Sequence, residues 1–375
     1  MAPFADGSPM VSQWPIPPGH FFDYEVSPEI SDAGTYFYHS HVGMQALSAS
    51  GPLIVDDCGE TPFHYDDERI FQFQDYFAKP DNEMVTELRT AGGWPGETRG
   101  IILNGLGVAA GKSAVVGSPG GSRGYWGSRL GPHPRGDDHD AYHDDSVSGD
   151  WREYKVTQIE PSTACTLPVI DVEPGKTYRF RFIGSTGLTY LGLGIEDHKD
   201  LIIIQTDGGE YNFPVTVDHL RIGAGQRFDV LLTTKTEEEL RRNDHKTTYF
   251  IQFESLHRPS TYRGYAVIRY NHEVEIPVAP ESPVLTLPSG EEPWLEYTFE
   301  PLYPELNEAP TAEEVTRRII LDCEELVDNK THRVMWELGH LSWSEFDYQR
   351  PVLVDIYERG EEAIPNYDAA LGNYG

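Results

Sequence analysis

The sequence predicts an all-β chain, on three observations. Short stretches alternate apolar and polar residues at the two-residue period of a half-buried strand. Turn-forming residues separate several of them, and helical periodicity is confined to two short stretches. The first strand is Lys176–Ile183, where Tyr178, Phe180 and Phe182 alternate with Arg179 and Arg181. Leu201–Thr206, Phe228–Thr233, Tyr249–Glu254 and Gly264–Tyr270 follow the same rule, with Asp207, Gly208, Gly209 and Asn212 as turn residues between two of them. The helical stretches are Thr236–Arg242 and Thr311–Ile319, the second opened by Pro310 and Thr311 with Glu314 three residues on, the pattern of a capping box. Neither is long enough to be architecture.

Two segments interrupt the strands. Gly105–Asp150 is rich in Gly, Ser, Asp and His and reads as an exposed acidic insertion at about residues 107–150. Its His133, His139 and His143 stand among Asp137, Asp138, Asp140, Asp144 and Asp145, and a solvated loop accounts for them better than a metal site. Val278–Glu292, with Pro280, Pro283, Pro288 and Gly290, reads as an interdomain linker. The expected parts are therefore residues 1–60, 61–280 and 281–375.

Charge narrows the partners. The 375 residues hold 61 acidic and 29 basic side chains, a net charge of −32, which repels phosphate backbones and anionic headgroups, so neither nucleic acid nor a membrane surface is expected as a partner. No apolar run approaches the roughly 18 residues of a transmembrane helix, and Met1–Met10 carries no basic region followed by an apolar run, so no signal peptide is read there. Cys58, Cys165 and Cys323 form no CxxC pair, which excludes a cysteine zinc site and leaves room for one disulfide at most. Gly111–Ser113 lacks the first glycine of a phosphate loop, Ile276 replaces the second histidine a zincin needs after His272 and Glu273, and no GxSxG elbow occurs. Asn329–Thr331 is a sequon.

The segment with the clearest chemistry is Gly34–Gly43, GTYFYHSHVG. An extended chain points residues i and i+2 to one face, so His39 and His41 lie roughly 6–7 Å apart on the same side, with Ser40 opposite. Two neutral imidazoles so placed suit copper, zinc or iron, each ring serving a separate ion of a close cluster. By spacing alone they read more readily as ordinary strand histidines.

The flanking residues are more specific. Pro3–Pro9, Ser12–Gly19 with Phe21, Phe22 and Tyr24, GTYFYHSHVGMQ, and Gly51–Asp57 resemble the first-domain signature of the multicopper oxidases, in particular the laccase and ascorbate oxidase branch of filamentous fungi. The resemblance continues through Ile101–Gly107, Val172–Gly184, Gln205–Leu232 and, weakly, Pro351–Gly360. It implies cupredoxin-like Greek-key β-sandwiches: a complete second domain at residues 61–280 between the C-terminal part of a first, 1–60, and the N-terminal part of a third, 281–375. It also implies a copper-dependent oxidoreductase, with four coppers in a complete member, that takes electrons singly from a phenolic or other aromatic reductant and reduces O2 to water. A role in pigment or secondary-metabolite formation and a secreted or wall-associated location are further implications. Ascorbate and Fe(II) are the rival reductants.

By the same resemblance His39 and His41 hold the paired coppers of a trinuclear cluster, Asp6 assists proton delivery to it, and Asp207 is an acid beside the reducing substrate. Asp6 and Asp207 also read as plain turn residues ahead of glycines. The family's HxHG, HPxHxHGH and HCHxxxH segments are not in the sequence, and Cys323 has no neighbouring histidine. The expectation is a chain truncated at both ends and inactive alone, or, alternatively, a non-catalytic cupredoxin-like remnant that binds copper weakly or pairs with another chain.

Overall fold

The computed structural model describes residues 7–59, 61–89, 97–107, 167–258, 261–290, 293–304, 310–327, 334–339, 342 and 349–363. Asp6, nearly all of the acidic insertion with its three histidines, Cys165 and the sequon asparagine Asn329 lie outside them.

β1 (Gly34–His39) and β2 (Ser50–Val55) form an antiparallel hairpin. A sandwich follows: β3 (Asp67–Tyr76), α1 (Asp81–Arg89), β4 (Gly100–Leu103), β5 (Val169–Asp171), β6 (Thr177–Gly184), β7 (Tyr190–Ile195), β8 (Leu201–Thr206), β9 (Tyr211–Val217), β10 (Leu220–Ile222), β11 (Arg227–Thr233), α2 (Glu237–Arg242), β12 (Thr248–Leu256) and β13 (Arg263–Arg269). After it, β14 (Cys323–Val327) pairs with β15 (Val334–Leu338), and α3 (Val352–Arg359) comes last. The backbone N–H groups of Val352 and Leu353 donate to the Met10 and Val11 carbonyls at 3.0 and 2.8 Å, so two donors that a helix start leaves open are satisfied by the beginning of the chain.

One sheet of the sandwich has six strands in the order β4-β3-β6-β11-β8-β9, the other five in the order β10-β7-β12-β13-β5. Pairings are antiparallel except β3 with β6 and β13 with β5. The aromatic residues of the predicted alternation fill the space between the sheets: the Phe71 ring lies 4.7 Å from Phe182 and 4.8 Å from Phe180, and Phe73 meets Phe253 edge-on at 5.2 Å. Among the described residues, no helix is long and apolar enough to cross a membrane.

The five predicted strands are β6, β8, β11, β12 and β13, and Thr236–Arg242 is α2, its Thr236 cap and Glu239 closing the capping box. Two expectations need correction and a third gains detail. The first predicted strand is not half-buried: Arg179 and Arg181 are 0% and 1% exposed, because the outer face of the six-stranded sheet is covered by the hairpin. Thr311–Ile319 is no helix. Thr311 and Glu314 make their capping hydrogen bonds, but only one turn forms and residues 310–323 are exposed, so no packed face sustains a nucleus that is costly by itself. Val278–Glu292, read as a linker, is held to the sandwich over its described part. Gln252, fully buried, accepts the Val284 and Leu285 N–H groups at 2.8 and 2.9 Å, and a Cβ on Gly194 would sit 3.0 Å from Leu287, so the segment is a strap laid on the five-stranded sheet.

A buried histidine gives the sandwich a pH dependence. Tyr270 Oη accepts the Lys235 N–H at 2.8 Å and donates to His198 Nε2 at 2.7 Å, which leaves Nδ1–H to donate to the Glu196 carbonyl at 2.7 Å. Burial holds the His198 pKa below its ordinary 6.5. The unfolded chain then binds a proton that the folded chain refuses, so this contribution to stability is complete above about pH 6.5 and is lost as pH falls from there toward the folded-state value. Urea midpoints are expected to decline over that window in the wild type and to decline less in His198→Gln; equal slopes would assign the titration to another group.

Candidate metal centre

The hairpin is seated by charge. Asp229 Oδ2 accepts from Arg179 Nε at 2.8 Å, Arg179 Nη2 at 2.5 Å and Arg181 Nη1 at 3.0 Å. Arg181 and Asp229 are direct cross-strand partners. Each guanidinium then reaches out of the sandwich: Arg181 Nη1 donates to Thr35 Oγ1 at 2.9 Å, and Arg179 Nη1 lies 3.3 Å from Asp57 Oδ2. Tyr211 Oη bonds the same Asp57 carboxylate at 2.8 Å, and Gln205 Nε2 donates to the Ala33 carbonyl at 2.9 Å. Burial works against the Arg179 charge, but the groups around it, Asp229 first, together outweigh it and the pKa ends above the ordinary arginine value. Burial raises the Tyr211 pKa, so its phenol is a neutral donor. Close approach completes the seat. Gly208 has φ +76°, and a Cβ there would lie 2.4 Å from the Tyr36 ring.

This docking leaves the end of β1 at the rim with both histidines exposed. Phe37, His39 and His41 follow one another on one face, the rings of Phe37 and His39 stacked at 5.5 Å and those of His39 and His41 5.8 Å apart at 32°. His39 Nδ1 lies 2.9 Å from the Ser40 carbonyl. A carbonyl only accepts, so the proton sits on Nδ1 and the lone pair on Nε2 is the donor available to a metal. Ser40 points elsewhere, bonding Gln45 Oε1 at 2.9 Å and accepting the Val42 N–H at 3.3 Å, which holds the loop that carries His41. That loop lands on the sandwich through Leu47, against Gly187.

The predicted site residues do not all meet. His39 and His41 are together. Asp207 stands in the β8–β9 turn at φ +56°, where its Oδ1 accepts the Arg227 N–H at 2.9 Å and pairs with Arg227 Nη1 at 3.3 Å, the bracing contacts of a turn residue. Cys58 and Cys323 are exposed free thiols. Imidazole nitrogens fit copper as donors, and the Nδ1–H bond to the Ser40 carbonyl leaves the Nε2 lone pair of His39 available. Among the described residues, however, no group of three or more His, Cys, Asp or Glu side chains converges, so they form no closed metal centre around the pair. The arginines and acids that seat the pair were visible only as an alternation of Arg with aromatics, which a solvated strand face also explains.

A family model described as multicopper oxidase matches residues 67–273, and a second model of the same description matches residues 1–59. The laccase-like multicopper oxidase 1 of Thermothelomyces thermophilus is 60% identical over 375 residues, covering 100% of this chain and 57% of its own length. The multicopper oxidase terE of Aspergillus terreus is 37% identical over 397 residues, covering 100% of this chain and 65% of its own. The chain thus spans about three fifths of the length of these relatives. The crystal structure of Fet3p, a multicopper oxidase that functions in iron import, superposes with a TM-score of 0.65 at 17% identity, over 97% of this chain and 56% of that one. That likeness establishes a cupredoxin-like fold.

Proposed function

The chain belongs to the multicopper oxidase family, and from that premise we propose that it contributes a donor strand and its supporting domain to a laccase-like, copper-dependent oxidase of phenolic or other aromatic reductants. The observation that carries the proposal is the His39–His41 pair, two exposed imidazoles on one face 5.8 Å apart. When bound, copper in this family supplies one-electron chemistry and O2 reduction. His39 holds it through Nε2, with Nδ1–H kept on the Ser40 carbonyl, and His41 holds a second ion from the adjoining loop. Asp6 is proposed to carry protons toward O2, and Asp207, its side chain 54% exposed, to receive the proton of a phenol; its Arg227 contacts favour the bracing role. Residues 61–280 form the supporting domain, the enzyme acts outside the cell, and its products enter pigment or secondary-metabolite chemistry.

A second reading, a chain that binds copper without oxidase activity of its own, is favoured by the lack of a third donor among the described residues. Copper content and O2 uptake on the full purified chain test both. Copper bound by the wild type and lost in His39→Ala and His41→Ala is the expected result, and equal copper content in all three would overturn the site. O2 uptake with 2,6-dimethoxyphenol supports the oxidase reading for the chain alone; bound copper without uptake supports the second.

A further inference from the structure

We propose that Ser50, held by Gln72, Gln74 and Ser185, is a positioning residue for His39. The hairpin register sets Ser50 directly opposite His39. The neighbouring opposed pair, Ser40 and Ala49, is joined by a backbone hydrogen bond of 2.8 Å, so 39 and 50 form a pair without backbone hydrogen bonds. In such a pair both side chains lie on one face, with Cβ atoms about 4.5–5.5 Å apart.

The Ser50 hydroxyl has no freedom left. Its Oγ accepts from Gln74 Nε2 at 2.8 Å and Gln72 Nε2 at 3.1 Å and lies 2.9 Å from Ser185 Oγ. A hydroxyl offers two lone pairs and one proton. Both lone pairs are taken by the amides, so its proton goes to Ser185, which also receives the second Gln72 amide hydrogen at 3.2 Å. Gln72, Gln74 and Ser185 are buried at 7%, 9% and 4% exposure, and Gln72 is held at its backbone N–H by Asn104 Oδ1 at 2.8 Å. The donors are therefore fixed to the sandwich and the acceptor belongs to the hairpin.

An apolar contact here would anchor the hairpin as firmly, yet it would accept several registers. A slip of one residue turns every side chain of β1 to the other face and takes His39 with it. The residues flanking Ser50 are Ala49 and Gly51, which have no hydroxyl to offer the two buried amides. A slip of one residue therefore leaves both amides unpaired, which is costly. The network thus opposes the one-residue slip that would turn His39 away from the face it holds at the exposed rim.

This inference rests on the reading of His39 Nε2 as a metal donor, but its first test needs no metal. Long-range 1H–15N spectra of the full chain, with His39 assigned through His39→Gln, are expected to show one Nδ1–H tautomer in the wild type. In Ser50→Ala they should show mixed tautomers and broadened signals at His39 alone, with His198 unchanged, and Ser50→Thr should restore the wild-type pattern. Should Ser50→Ala fail to fold, Gln74→Met reads the same signals with the hairpin's own residues intact. An unperturbed His39 in the folded variants overturns the proposal. Titration with Cu(II) alone should then show roughly 10- to 100-fold weaker binding in Ser50→Ala. A His39 response without copper binding in the wild type would sink the copper reading and leave the positioning role standing.

Discussion

Asp229→Ala is expected to unseat the hairpin and cost roughly 3–5 kcal/mol, the range for breaking a buried ion pair by removing one partner. One carboxylate oxygen, on a residue 1% exposed, takes three N–H groups from two arginines that are themselves buried. Without it, Arg179 and Arg181, two residues apart on one face of β6, keep only the peripheral Asp57 and Glu68 for counter-charge, and both must find water. The cheapest way is for β1 and β2 to lift away, because they are the cover. Urea unfolding should therefore lose stability, and limited proteolysis should cut between residues 33 and 57 before it touches the sandwich. Asp229→Asn, which keeps an acceptor but not the charge, should fall between. If Asp229→Ala unfolds at the wild-type midpoint with the hairpin still protected, charge is not what seats it.

Asp75→Ala is the second large effect, about 3 kcal/mol, the upper range for a hydrogen-bonded charged group. Asp75 is 3% exposed and its Oδ2 gathers the N–H groups of Gly187, Leu188 and Thr189 at 2.9, 2.8 and 3.3 Å, while Oδ1 accepts the Thr189 hydroxyl. The loop it shapes is where Leu47 lands, since a Cβ on Gly187 would lie 2.6 Å from the leucine. Losing the carboxylate should raise amide exchange first at residues 187–189 and then through the His41 loop. Fast exchange confined to 187–189 would show that the His41 loop is held independently.

Much of the sandwich was legible because its strands obey one local rule. Phe180 and Phe182, or Val230 and Leu232, repeat at a period that few alternatives share, and Thr236 with Glu239 announces its helix within four residues. β3 carries its aromatics at the same period, but Gln72 and Gln74 on the alternate positions look like a solvated face, as the two arginines of β6 do. What hides the arginines is a hairpin whose Thr35, the hydrogen-bond partner of Arg181, is 146 positions away in the chain. No local window contains that contact. That His39 and His41 share a face was legible from the HSH spacing, whereas the place of Ser50 was not, because its meaning comes from a register and two amides on another sheet.

The sequence by itself determined the all-β class, the strands with an apolar face, and which two imidazoles share a side, since each follows from side-chain direction along an extended backbone. The tertiary structure alone decided that both faces of β6 are covered, that 311–319 stays open while 278–290 is strapped down, and that His39 is held in register by Ser50. Those outcomes depend on which distant groups satisfy a buried charge or amide, and a polar group removed from water is bound by its partners rather than by its neighbours in the chain.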